Sequence, residues 1–153
     1  MADAIILCTD GSDASLRALE AGLSLVGAAP GVEVVTVIEA SDPSLVTGTG
    51  FAGGTMSPED FDEQNRRREG EGETMVRDVA ARLGLVEART TVLLGSPGPA
   101  LCDHATEPGA RAIVLGTRGR GGLKRAVLGS VSDHVVRNAP CPVVVTGESN
   151  RGS

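Results

Sequence analysis

The chain alternates two hydrophobic patterns. Ala4-Ile5-Ile6-Leu7-Cys8-Thr9 is a continuous apolar run, too short for a helix and rich in Ile, as in strands buried on both faces of a parallel sheet. After Asp10-Gly11-Ser12, the residues Leu16, Leu19, Leu23 and Val26 recur at helical spacing. They predict a helix capped by Ser12 that stops near Gly27 and Pro30.

The unit then repeats. Val32 to Ile38 reads as a second strand, and Ser57-Pro58-Glu59-Asp60 as a cap, a first-turn proline and acids suited to the positive end of a helix. Phe61, Met75, Val76, Val79 and Leu83 form the buried side of that helix. Ala88 to Leu94 is a third strand, Gly95-Ser96-Pro97 a turn and Pro99 to Thr106 a short helix. Arg111 to Leu115 is a fourth strand, Ser130 to Arg137 a helix and Cys141 to Thr146 the last strand. This alternation predicts an α/β domain with right-handed crossovers and a parallel sheet covered on both faces. Ligands of such sheets lie beyond the carboxyl ends of the strands, where the strand order reverses.

Two stretches break the rhythm. Residues 40–56, with Gly48, Gly50, Gly53 and Gly54, form a loop longer than usual, expected to be a mobile flap or a tolerated insertion. Residues 59–73 mix acids with Arg66-Arg67-Arg68 and read as a solvated helix face with same-face ion pairs.

Composition narrows the function. Of 153 residues 41% are hydrophobic and only 1% aromatic, so the core is aliphatic and platforms for base stacking are lacking. The net charge of −6 disfavours phosphate polymers and anionic membranes. With neither a spanning segment nor a signal peptide in view, the expected compartment is the cytosol. Cys8, Cys102 and Cys141 are far apart and lack metal-ligand spacing, which suits reduced thiols.

Cations gather in one place. From Gly116 to Arg137 the basic residues Arg118, Arg120, Lys124, Arg125 and Arg137 face one acid, Asp133. Glycines at 116, 119 and 129 let backbone N–H groups approach an anion, and Gly129-Ser130-Val131-Ser132 opens a helix whose free N–H groups and dipole favour phosphate. A P-loop is excluded, because Lys124 lies between Leu123 and Arg125, and a dinucleotide fingerprint fails at the same lysine.

The spacing Gly116-x-x-Gly119-x(9)-Gly129-Ser130 is similar to the G-2x-G-9x-G-[ST] pattern of the nucleotide-binding branch of the universal stress protein family. Thr9-Asp10-Gly11-Ser12, Gly95-Ser96-Pro97 and the stretch from Leu128 to Val145 extend the likeness over nearly the whole chain. The resemblance implies one domain over 1–147 with a disordered tail at 148–153, and an open five-stranded sheet of order 3-2-1-4-5, like that of adenine nucleotide alpha hydrolases. It also implies a nucleotide site. Asp10 would bond the ribose hydroxyls, while Thr9 and the backbone of Val37 flank the adenine. Gly116, Arg118, Gly119, Gly129, Ser130 and Ser132 would hold the phosphates, with Val131 contributing its N–H. ATP or AMP is the expected ligand, with Mg²⁺ or Mn²⁺ held through phosphates and water. A homodimer through Val143 to Thr146 is expected.

Such a protein could be a stress-response or signalling module, or an ATP hydrolase or phosphotransferase. Hydrolysis needs a group that orients water beside the γ-phosphate, and the Gly-rich loop holds no carboxylate or Gln. Asp133 and His134 read as a surface acid and a cap or core histidine, and His104, beside Asp103 and Cys102, as part of a solvated helix face. Binding with slow or no turnover is therefore the expectation, and a member of the family that acts through dimerisation without nucleotide is the further alternative.

Overall fold

The computed structural model describes residues 3–27, 31–42, 56–107, 109–117 and 128–147. The alternating patterns become β1 (Ala4–Cys8), α1 (Asp13–Val26), β2 (Gly31–Ile38), α2 (Pro58–Arg82), β3 (Arg89–Leu94), α3 (Pro97–Thr106), β4 (Ala112–Gly116), α4 (Ser130–Asn138) and β5 (Val143–Thr146). Every strand pairing is parallel, in the order β3-β2-β1-β4-β5. The expected open five-stranded sheet is therefore present.

Side chains of a strand alternate between its two faces, and both faces are covered. On one, Ile5, Leu7, Val34 and Val114 pack with Leu19 of α1 and Val76 and Val79 of α2. On the other, Ile6, Val35, Ile113 and Leu115 meet Leu101 and Ala105 of α3 and Val135 of α4. Burial on two sides is what makes β1 and β4 unbroken apolar runs. Leu16, Leu23, Val26 and Leu83 pack against the first cluster as their spacing predicts, whereas Phe61 and Met75 are half-buried.

Helix starts follow their caps. Ser12 Oγ accepts from Ser15 N at 3.1 Å and Ser57 Oγ from Asp60 N at 3.1 Å. The third helix starts two residues before the expected Pro99, because Pro97 occupies the first helical position after Ser96 and a missing N–H is no loss there. Ion pairs join Arg66 to Glu63, Arg67 to Glu71 and Arg77 to Glu73 along exposed α2, as expected of that face. Arg68 instead reaches across to the Glu39 carbonyl and Ser41 Oγ, tying α2 to the chain after β2.

One expectation is corrected. His104 does not lie on a solvated face: it is half-buried, with Nε2 3.1 Å from Oε1 of Glu33, a carboxylate buried on β2. The Thr91 hydroxyl donates to the same oxygen, and Arg89 Nε lies 3.7 Å away. His134, by contrast, packs against α3 at Gly98, where an added Cβ would stand 2.8 Å from its ring, and Asp133 pairs with Arg137 at 3.1 Å on the surface.

Candidate functional site

β1 leads to β2 and β3 on one side of the sheet, while β4 leads to β5 on the other, so the order reverses between the hydrogen-bonded neighbours β1 and β4. Their carboxyl ends open onto the crevice that such a reversal creates. Thr9 and Asp10 follow β1, Gly116 ends β4, and the start of α4 returns to the same place. That return is held by one backbone residue: Thr117 donates its N–H to Thr146 O at 3.0 Å and accepts from Gly129 N at 2.8 Å. A Cβ on Gly129 would stand 3.1 Å from the Thr117 carbonyl oxygen, so glycine permits this close approach.

On the β1 side a closed set of hydrogen bonds shapes the turn. Buried Thr9 donates its N–H to Val35 O at 2.9 Å, and its Oγ1 accepts from Gly11 N at 3.0 Å and Ser15 Oγ at 2.8 Å. Gly11 takes φ +81°, and Met75 packs where a Cβ would be. Asp10 Oδ1 accepts from both Ser12 N at 2.9 Å and Ser12 Oγ at 2.6 Å. Asp10 Oδ2 is shut off from solvent and has no hydrogen-bond partner among the described residues. A buried carboxylate oxygen without a donor is unfavourable by more than the roughly 1–3 kcal/mol of a neutral group, which makes it the most informative atom of the crevice.

Val37 adds backbone groups. Polar groups alternate in direction along a strand, so Val37 turns its N–H and C=O to the same side as Val35, whose carbonyl holds Thr9, while Ile38 O turns the other way to Gly95 N. Because β1 ends opposite Val35, Val37 lies past its last residue.

At α4 the first-turn N–H groups of Ser130, Val131 and Ser132 have no acceptor within the helix, and the macrodipole adds positive potential. Ser130 is exposed and Val131 packs its side chain on the second core cluster. Ser132 is 2% exposed, and its hydroxyl donates to Gly129 O at 3.0 Å, so Ser132 offers the crevice its backbone rather than its side chain. Arg118 and Gly119, with Arg120, Lys124 and Arg125, lie outside the described residues, as do residues 43–55 and the tail at 148–153.

The thiols are not reactive groups of the site. Burial, and secondly the negative charge of Asp10, pushes the Cys8 thiol up to about 12. Burial also raises Cys102 and Cys141, so all three stay protonated at neutral pH. Sequence reasoning overlooked Ser15 in the turn and the double role of Ser12. The available signal was the spacing Ser12-x-x-Ser15 next to an acid.

The universal stress protein family profile matches residues 1–147. The universal stress protein YxiE of Bacillus subtilis is 34% identical over 149 residues, covering 95% of this chain and 99% of that one. The solved structure of the protein MJ0577 superposes with a TM-score of 0.71 at 22% identity, over 98% of this chain and 99% of that one. A universal stress protein crystallised in complex with cAMP gives 0.59 at 23% identity, over 96% and 98% of the two chains. The two structures share the fold, and the sequence matches run almost from end to end. The chain belongs to the universal stress protein family.

Proposed function

We propose that the protein binds an adenine nucleotide, ATP or AMP, at the β1–β4 crevice and serves as a stress-response or signalling module with slow or no hydrolysis. The buried Asp10 Oδ2, without a hydrogen-bond partner among the described residues, carries this reading. An ionised acceptor at the sheet's reversal suits sugar hydroxyls, while the α4 N-terminus nearby suits phosphate. The cAMP bound by a related protein of the same fold supports an adenine ligand. Thr9 and Val37 would flank the base. Gly116, Arg118, Gly119, Gly129, Ser130, Val131 and Ser132 would surround the phosphates. Mg²⁺ or Mn²⁺ would be held through phosphates and water, as is usual for such ions. Slow turnover is favoured because Asp133, the acid of the first turn of α4, is engaged by Arg137.

Calorimetric titration with ATP and AMP tests the site. Asp10→Ala and Gly129→Ala are each expected to weaken binding about tenfold or more, equivalent to about 1.4 kcal/mol. Unchanged affinity in both variants would overturn the assignment.

The homodimer would form through β5, an edge strand of four residues, three of them valine. An apolar edge gains by pairing. Sedimentation velocity at micromolar protein is expected to give a dimer, and a monomer throughout that range would exclude this contact.

A further inference from the structure

We propose that Ser12 is a positioning residue that makes this crevice select ribose over deoxyribose, an inference that rests on the adenine-nucleotide reading. Ser12 uses every polar group it brings to this turn. Its N–H and its hydroxyl both donate to Asp10 Oδ1, at 2.9 and 2.6 Å, and the same hydroxyl oxygen accepts from Ser15 N at 3.1 Å. The hydroxyl hydrogen therefore has one destination. Ser15 is in turn held through its own hydroxyl to Thr9 Oγ1 at 2.8 Å, and Thr9 is fixed to β2. The chain of bonds runs from the sheet through the first turn of α1 to the carboxylate.

A carboxylate oxygen accepts along about two lone-pair directions, and Ser12 fills both at Oδ1. Rotation of the carboxylate would break two charge-assisted bonds, so Oδ2, unpartnered among the described residues, is held in a single orientation. Among the described residues no donor reaches it. A phosphate has no donor at neutral pH to spare for an anion, but the two hydroxyls of a ribose suit the two lone pairs of one oxygen. A deoxyribose can satisfy only one of them. With the hydroxyl gone only the backbone N–H of residue 12 holds Oδ1, the carboxylate turns more easily, and part of the advantage of a pre-set acceptor is lost before the sugar arrives.

The test compares ATP, 2′-deoxy-ATP and 3′-deoxy-ATP by calorimetry on the full chain. The wild type is expected to bind ATP about tenfold more tightly than either deoxynucleotide, because a missing hydroxyl leaves one lone pair of the buried oxygen without a donor. In Ser12→Ala the ATP affinity is expected to fall about tenfold while that of the deoxynucleotides changes less than about twofold, collapsing the preference. Ser12→Gly, a better helix cap than alanine, should reproduce this loss if Ser12→Ala melts too low to measure. Ser12→Thr, which keeps the hydroxyl, should restore the preference. A merely structural role would weaken all three ligands together, and an unchanged ratio in the Ala and Gly variants overturns the proposal. If the wild type binds ATP without a ribose preference, the role of Ser12 falls and the adenine-nucleotide reading stands. If it binds none of the three, both fall.

Discussion

Replacing His104 with leucine is expected to lower the unfolding free energy by about 2–4 kcal/mol at neutral pH, read from urea denaturation. The cause is Glu33, whose side chain is 5% exposed yet sits between β1 and β3 in the middle of the sheet. Three groups surround its Oε1: the Thr91 hydroxyl, His104 Nε2 and, farther off, Arg89. Arg89 is more than half exposed, so its charge is screened and cannot replace a direct donor. Leucine would fill part of the imidazole's space while leaving the carboxylate with one close donor. His104→Gln keeps a donor and is expected to be milder. The double variant Glu33→Leu with His104→Leu should be more stable than the sum of the single losses, since no charge is then buried. A His104→Leu change within about 0.5 kcal/mol of wild type would mean that the pair does not anchor α3.

That pair also marks where sequence reading stops. Elements set by neighbours in the chain were legible: the apolar runs of β1 and β4, the stripe of Leu16, Leu19 and Leu23, and the caps Ser12 and Ser57 all act over a few residues. The strand order was not legible from periodicity: the reversal between β1 and β4 followed only from the family resemblance carried by Gly116, Gly119, Gly129 and Ser130. Glu33 and His104 are 71 positions apart, and nothing local to either predicts the other. On β2 a glutamate among valines looks like a solvent-facing residue until the fold places α3 over it. The hydroxyl of Ser132 is a similar case. Sequence offers it to a phosphate, and the fold places it on the Gly129 carbonyl, beside the N–H of Asp133. In both cases the residue type was informative and its partner was not, because partners come from packing.

Gly22→Ala is the second change with a large expected effect, about 2–3 kcal/mol of lost stability despite alanine's better helix propensity. Gly22 is buried on α1, and a Cβ there would stand 2.2 Å from Cγ1 of Val114. Valine has one short, stiff side chain and Val114 is fully buried in β4, so it cannot swing away. The helix must lift from the sheet instead. Such a displacement is felt at both ends of the domain's chemistry: α1 starts at Ser12, which holds Asp10, and Thr146 of β5 donates its hydroxyl to Ala18 O at 2.6 Å. The cure is specific. Val114→Ala alone leaves a cavity and is expected to cost about 2 kcal/mol, yet combined with Gly22→Ala it makes room for the new methyl group. The double variant should therefore be more stable than the sum of the two single losses predicts, with a coupling of about 1–3 kcal/mol in a double-mutant cycle. Additive losses would show that α1 does not owe its position to the contact between Gly22 and Val114. A rescued fold that also recovers nucleotide affinity would tie the seating of α1 to the site, because Ser12 caps that helix and holds Asp10 Oδ1.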